Sequence, residues 1–164
     1  PPDLAAHLVE VADIQPSQRV LEPSVGKGDI ADAIRRAHPD ALLDVVELHP
    51  MLCDILRLKG YQPTECDFLR FAYALPYDRI IMNPPFEHGQ DIEHIRRAYA
   101  LLAEGGTLVA IASPAFEYRS EAKYLDFAEW LGMVDAEVSP LPDNSFTNSD
   151  RPTGVATRLI ILHK

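Results

Sequence analysis

At 164 residues, 47% of them hydrophobic, the chain is long enough to bury the core of one compact domain and too short for several. A formal net charge of −10 and a pI near 4.9 argue against tight binding of long duplexes by this surface alone, because nucleic acids are held largely by Lys and Arg on phosphates. A local basic edge or a partner subunit could still supply that attraction.

No apolar run approaches the roughly 18 residues of a membrane span, and no basic-then-apolar leader precedes the first elements; a soluble, cytoplasmic protein is expected. Cys53 and Cys66 lack CxxC spacing, so both are expected as buried, reduced thiols without a disulfide or zinc. The chain opens on Pro1 instead of Met, which leaves room for flanking segments of a longer protein.

Apolar segments of strand length alternate with segments of helical period, the pattern of a mostly parallel sheet covered by helices. LAAHLVEVADI predicts a first helix, with Leu4, Leu8, Val11 and Ala12 on one face and an end near Pro16. Residues 19–21 predict a strand running into a Gly-bearing turn, followed by a helix over 29–37. Residues 42–48 read as a strand covered on both faces, and a helix over 51–59 is stopped by Gly60. Short strands are expected over 64–66 and 79–82, then a helix over 91–103 that stops at Gly105-Gly106. A strand over 107–112, a helix over 120–131 around Trp130, and strands over 134–139 and 156–162 complete the pattern. The long polar loop LPDNSFTNSDRPTG separates the last two strands, and long loops in compact domains often serve binding.

Four stretches carry chemistry. In VLEPSVGKGDIADAI, Gly26 and Gly28 let a ligand approach the backbone, and Gly26, Gly28 and Ala31 fit G-x-G-x-x-[GA]. Glu47 lies nineteen residues beyond Gly28, where a carboxylate can take both ribose hydroxyls of an adenosine-bearing ligand. At this point a nicotinamide dinucleotide and S-adenosylmethionine fit equally well. In CDFL, Asp67 could accept from an exocyclic amine and Phe68 could lie against a flat ring; the alternative is a turn cap and a core ring. In IIMNPPF, Pro84 and Pro85 fix the directions of the Asn83 amide and the local carbonyls, a rigid set of acceptors for both hydrogens of an amino group. Phe86 offers a face on which a planar substrate could stack. The fourth is the set of cations Arg119, Lys123 and Arg151, placed after the fifth strand or in the long loop, where a phosphate could be met. Arg35-Arg36 and Arg96-Arg97 read instead as solvated helix faces. His88 and His94, six apart, do not have helical zinc spacing and are expected to be exposed.

LEPSVGKGD, VELHP, CDF and NPPF, in this order, resemble the motifs of class I S-adenosylmethionine-dependent methyltransferases that act on planar nitrogens, above all the N6-adenine DNA methyltransferases of restriction-modification type. The opening helix is similar to the one that precedes the glycine motif in the gamma arrangement. The resemblance covers nearly the whole chain, with NPPF its most specific part. It implies an α/β, Rossmann-like, doubly wound sheet of seven mostly parallel strands, helices on both faces, and a reversed C-terminal hairpin, all in one catalytic domain over 1–164 without a separate target-recognition domain. The cofactor would be S-adenosylmethionine, leaving as S-adenosylhomocysteine, held by Pro2, Glu22, Pro23, Ser24, Gly26 and Gly28. Glu47 would take the ribose, Leu48, His49, Asp67 and Phe68 the adenine, and Asn83 the reacting end. Asn83, Pro84, Pro85 and Phe86 would form the catalytic turn, with Phe86, Phe146, Arg119, Lys123 and Arg151 on the substrate and no metal. The nicotinamide reading loses here, because hydride transfer has no use for an amine cradle. The implied acceptor is N6 of adenine in DNA. The same tetrad occurs in enzymes acting on RNA bases or protein glutamine, and a cofactor-binding subunit without turnover is the rival from another class. A nucleic-acid partner is expected, DNA before RNA, with help from a missing domain or a partner subunit.

Overall fold

Alternate residues of each central strand face two different cores, and this alternation sets the layers. In the computed structural model, which describes residues 2–142 and 156–164, the strands form one sheet in the order β3-β2-β1-β4-β5-β7-β6. β1 (Arg19–Pro23), β2 (Leu42–Glu47), β3 (Thr64–Glu65), β4 (Tyr77–Met82) and β5 (Leu102–Ala112) pair in parallel. β7 (Arg158–His163) runs antiparallel between β5 and β6 (Glu137–Pro140), which gives the reversed C-terminal hairpin.

Val20, Ile81, Val109, Ile111 and Leu159 point to one face, under α1 (Pro2–Ala12) and α2 (Asp29–Ala37). Leu21, Ile80, Met82, Leu108, Ala110 and Ile160 point to the other, under α4 (Gln90–Leu101) and α5 (Ala122–Met133). A third cluster, Val25, Val45, Leu56 and Tyr61, seats α3 (Pro50–Leu58). Each large apolar side chain buried in this way contributes about 1.5–3 kcal/mol, so the paired centre of β4 and β5 anchors the layers.

Several boundaries differ from the sequence expectation. α1 ends at Ala12, where Asp13 turns to φ 47°, well short of Pro16. Its buried face is Ala5, Leu8, Val9 and Ala12, with Leu4 and Val11 at the half-buried margin. β2 is buried only in its second half and Leu42 is 58% exposed. The short β3 reaches only Val46 and Glu47, so the first half of β2 lies on an open edge. β5 begins at Leu102 instead of after Gly105-Gly106, because the two glycines sit in the strand as a bulge: Tyr77 faces Leu102, yet Arg79 faces Thr107. A Cβ on Gly106 would lie 2.8 Å from the Ala103 carbonyl, a contact only glycine avoids. Both cysteines are free, Cys53 buried and Cys66 only half-buried at the strand edge. Among the described residues no helix is long and apolar enough to cross a membrane.

Arg79 fixes α1 to the sheet. A helix end leaves carbonyls without intrahelical partners, and here the buried guanidinium supplies them: Nε donates to the Ala12 carbonyl at 2.7 Å, and Nη2 to that of Asp13 at 3.1 Å. Arg79→Met leaves the buried Ala12 carbonyl without this donor, with an expected loss of roughly 1–3 kcal/mol in urea unfolding. Leu58→Ala, at an 89% exposed position, serves as the control and is expected to stay within about 0.5 kcal/mol.

A candidate active site at the carboxyl ends of the strands

The strand order reverses between β1 and β4, and the crevice outside the carboxyl ends at such a switch point is where open α/β sheets take ligands. Along the neighbours β3-β2-β1-β4, these ends present Asp67, Glu47, the glycine turn and Asn83 in that spatial order. The β1–β4 register pairs Leu21 with Ile80. The turns that carry Ser24 and Asn83 leave from the carboxyl ends of these two neighbouring strands.

The glycine turn is built from left-handed residues, Ser24 at φ 58°, Gly26 at 61° and Gly28 at 90°. A serine in that region is strained, a feature that concentrates at functional turns. What holds it is β2: the Val25 N–H donates to the Val46 carbonyl at 3.0 Å, and the Gly26 N–H to Glu47 Oε2 at 2.8 Å. The other carboxylate oxygen of Glu47 accepts from the His49 N–H at 2.9 Å, and its carbonyl accepts from the Cys66 N–H at 3.1 Å. Nothing lies within 4 Å of a Cβ built on Gly26, so the backbone there is open to a ligand, whereas a Cβ on Gly28 would meet the Leu56 side chain at 3.0 Å.

Glu22, the last-but-one residue of β1, is 2% exposed and its Oε2 has no partner. Burial pushes its carboxyl well above the ordinary range. The charges of Asp29, Asp32 and Glu47 add to this, while a hydrogen bond from the Ala31 backbone opposes it. A cleft with this many carboxyl groups and one orphaned buried oxygen suits a cationic ligand.

Asp67 caps the 3-10 turn Phe68–Arg70, its Oδ1 accepting from the Leu69 N–H at 2.9 Å. Phe68 is 3% exposed, packed on Phe71 and on His94 at ring-centroid distances of 6.5 and 5.5 Å. Leu48, 56% exposed, and His49 stand at the open rim after β2. Pro23 is buried at the end of β1, and Pro2 is exposed at the start of α1.

At the end of β4, Asn83 and Pro85 are exposed, Pro84 is buried, and Phe86 is half-buried against the α1-side core. His88 (φ 55°) and Gly89 (φ 70°) turn the chain into α4. Lys123 donates its ammonium to the His88 carbonyl and packs over Gly89, so it braces the turn. Arg119 donates to the Tyr124 hydroxyl at 3.2 Å and lies 3.6 Å from Glu121. Phe146 and Arg151 lie outside the described residues. A cavity of about 400 Å³ between α5 and β6, lined by Phe116, Leu131, Ala136 and Val138 among others, contains none of these site residues.

Two residues at the site escaped the sequence reading. His94 was expected to be exposed and is buried, because α4 turns it inward between Phe68 and Ser24, whose Oγ lies 3.4 Å from Nδ1. Asp91, also buried, accepts from the Ser113 N–H at 2.9 Å and so joins the start of α4 to the end of β5. The acidic first turn of α4 was visible in sequence, but its reach to β5 was not. Arg97 likewise departs from a solvated face: it is half-buried and donates to the Phe71 carbonyl at 2.7 Å.

Comparison with known proteins bears on what this edge does. The methyltransferase small domain family matches residues 3–135. The tRNA1(Val) (adenine(37)-N6)-methyltransferase of Aliivibrio fischeri is 32% identical over an alignment 98 residues long that covers 54% of this chain and 42% of that protein. TrmN of Thermus thermophilus superposes over 99% of this chain and 48% of its own with a TM-score of 0.73 at 22% identity. The methyltransferase subunit of a type I restriction-modification system from Streptococcus thermophilus covers 100% of this chain and 44% of its own, with a TM-score of 0.82 at 18% identity. This chain thus spans less than half the length of each of these proteins.

Glu22 gives a stability test. Because its carboxyl holds a proton in the folded chain to higher pH than in the unfolded one, stability falls as pH rises from about 4.5 through the raised value. Glu22→Gln is expected to raise Tm at neutral pH, by about 2–4 °C for each kcal/mol regained, and to leave it unchanged well below pH 4.5. Thermal scans across pH check both.

Proposed function

Since the chain belongs to the methyltransferase small domain family, we propose that it transfers a methyl group from S-adenosylmethionine to an amino nitrogen, N6 of adenine in RNA. What supports this reading is that the glycine turn and Asn83-Pro84 follow the neighbouring strands β1 and β4 at the switch point of the sheet.

The residues present fit the cofactor. The open backbone at Gly26, the fixed carboxylate of Glu47 and the unpartnered oxygen of Glu22 suit a nucleoside with a cationic tail. When bound, S-adenosylmethionine supplies a methyl group on a sulfonium, which needs chiefly an in-line approach. Glu47 has lone pairs that would take the ribose hydroxyls, and Asp67, whose Oδ1 caps its own turn, would offer Oδ2 to the cofactor's exocyclic amine. Asn83 Oδ1 and the Pro84 carbonyl accept the two hydrogens of the target amine, which turns its lone pair out of ring conjugation and toward the donor. Phe86 limits the plane of the target ring. The surplus proton of the methylated nitrogen passes to solvent at the exposed Asn83.

RNA is placed ahead of DNA because the relative of highest stated identity acts on tRNA. DNA is the second reading, favoured by the close superposition on a restriction-modification subunit.

Incubation with methyl-labelled cofactor and, in turn, tRNA, duplex DNA and a glutamine-bearing protein identifies the acceptor; label is expected on adenine of tRNA. Cofactor binding without transfer to any of them would favour a non-catalytic subunit. Asn83→Ala is expected to lower the transfer rate by about 10²-fold or more with cofactor Kd within twofold. Glu47→Ala is expected to raise cofactor Kd by about tenfold or more. Equal loss of cofactor binding in the two variants contradicts this division of roles.

A further inference from the structure

The cofactor cleft spans the ends of β1, β2 and β3, so its two ends lie about 10 Å apart, two strand spacings. Glu47 joins these ends along the rim. On the α4 side a second connection exists, and it is made by His94.

We propose that His94 is a positioning residue of the cleft: reaching in from α4, it ties the strained turn after β1, through Ser24, to the turn after β3, through Phe68. The proposal rests on the methyltransferase reading and goes beyond it, because it assigns a role to a residue outside every motif of the site. His94 is 8% exposed, and its ring contacts two loops that do not touch along the sheet. Its Nδ1 lies 3.4 Å from Ser24 Oγ, and its ring centroid lies 5.5 Å from that of Phe68.

Ser24 is the non-glycine residue at φ 58° in the glycine turn, so its side chain needs a partner that keeps the strained backbone in place. Phe68 is the residue next to Asp67, so the same imidazole fixes the ring beneath the other end of the cleft. α4 starts a few residues after Asn83-Pro84, so the helix that carries His94 also continues the turn holding the target amine. The charged groups that act on the ring are Asp67 on the β3 turn and Glu93 on α4; both favour its protonation, while burial opposes it more strongly and keeps it neutral. A neutral ring places no cation in the wall of a cleft built for a sulfonium.

A double-mutant cycle on cofactor affinity tests this, with S-adenosylmethionine and S-adenosylhomocysteine titrated into the wild type, His94→Phe, Ser24→Ala and the double variant. Phenylalanine keeps the packing on Phe68 and removes the link to Ser24. Each single variant is expected to weaken binding about fivefold, the value of one hydrogen bond, and the double variant about fivefold again instead of twenty-five-fold. His94→Gln, whose amide can still reach Ser24, is expected to recover most of the loss, and cofactor KM to rise with kcat changed less than about threefold. A merely structural histidine would lower Tm in His94→Phe and leave the two positions additive. Additivity, or wild-type affinity in a folded His94→Phe, overturns the role of His94 and leaves the methyltransferase reading intact. A wild type that binds neither compound overturns both.

Discussion

The site depends on one buried carboxylate. Glu47 sits at the end of β2, 5% exposed, and removing a carboxylate from water is costly unless its oxygens are hydrogen-bonded. Its two oxygens satisfy that requirement with backbone N–H groups from two different turns, those of Gly26 and His49, and its carbonyl binds the N–H of Cys66. One side chain and its own peptide therefore hold the segments after β1 and β2 and the end of β3. Charge-assisted bonds are the stronger kind, so these contacts fix the relative positions of the turns at the strand ends.

The opposite wall uses a different logic. The turn after β4 is stiffened by its two prolines and held from below by α4 and α5: Asp91 reaches the end of β5, and Lys123 clasps the carbonyl of His88. Lys123 and Arg119, in and just before α5, both have intramolecular partners. Acidic residues outnumber Lys and Arg by 25 to 15 over the chain, a balance that opposes a nucleic-acid backbone. This wall is thus held in shape by intramolecular hydrogen bonds of α4 and α5.

Glu22 is at odds with stability. A buried carboxyl with an unpartnered oxygen, surrounded by other acids, destabilises the fold. In the proposed cofactor site a positive charge would relieve it. Residues that weaken the scaffold while sharpening a site are a common form of the stability–activity trade-off.

Sequence alone determined the α/β class, because strand-length apolar runs alternating with helical periods admit few other arrangements. It also located Gly26, Glu47, Asp67 and Asn83 at strand ends, since each follows an apolar run and coincides with turn chemistry. Element boundaries were less legible where a local signal competed with the sheet: Gly105-Gly106 reads as a break, but β5 passes through it as a bulge against β4. Only tertiary structure decided which polar residues turn inward. The inward face of α4 depends on what packs beneath it, so His94, which reads as exposed in sequence, becomes the contact between the turns after β1 and β3. Chain order fixes which residues follow a strand; only the packing of distant segments fixes which of them meet.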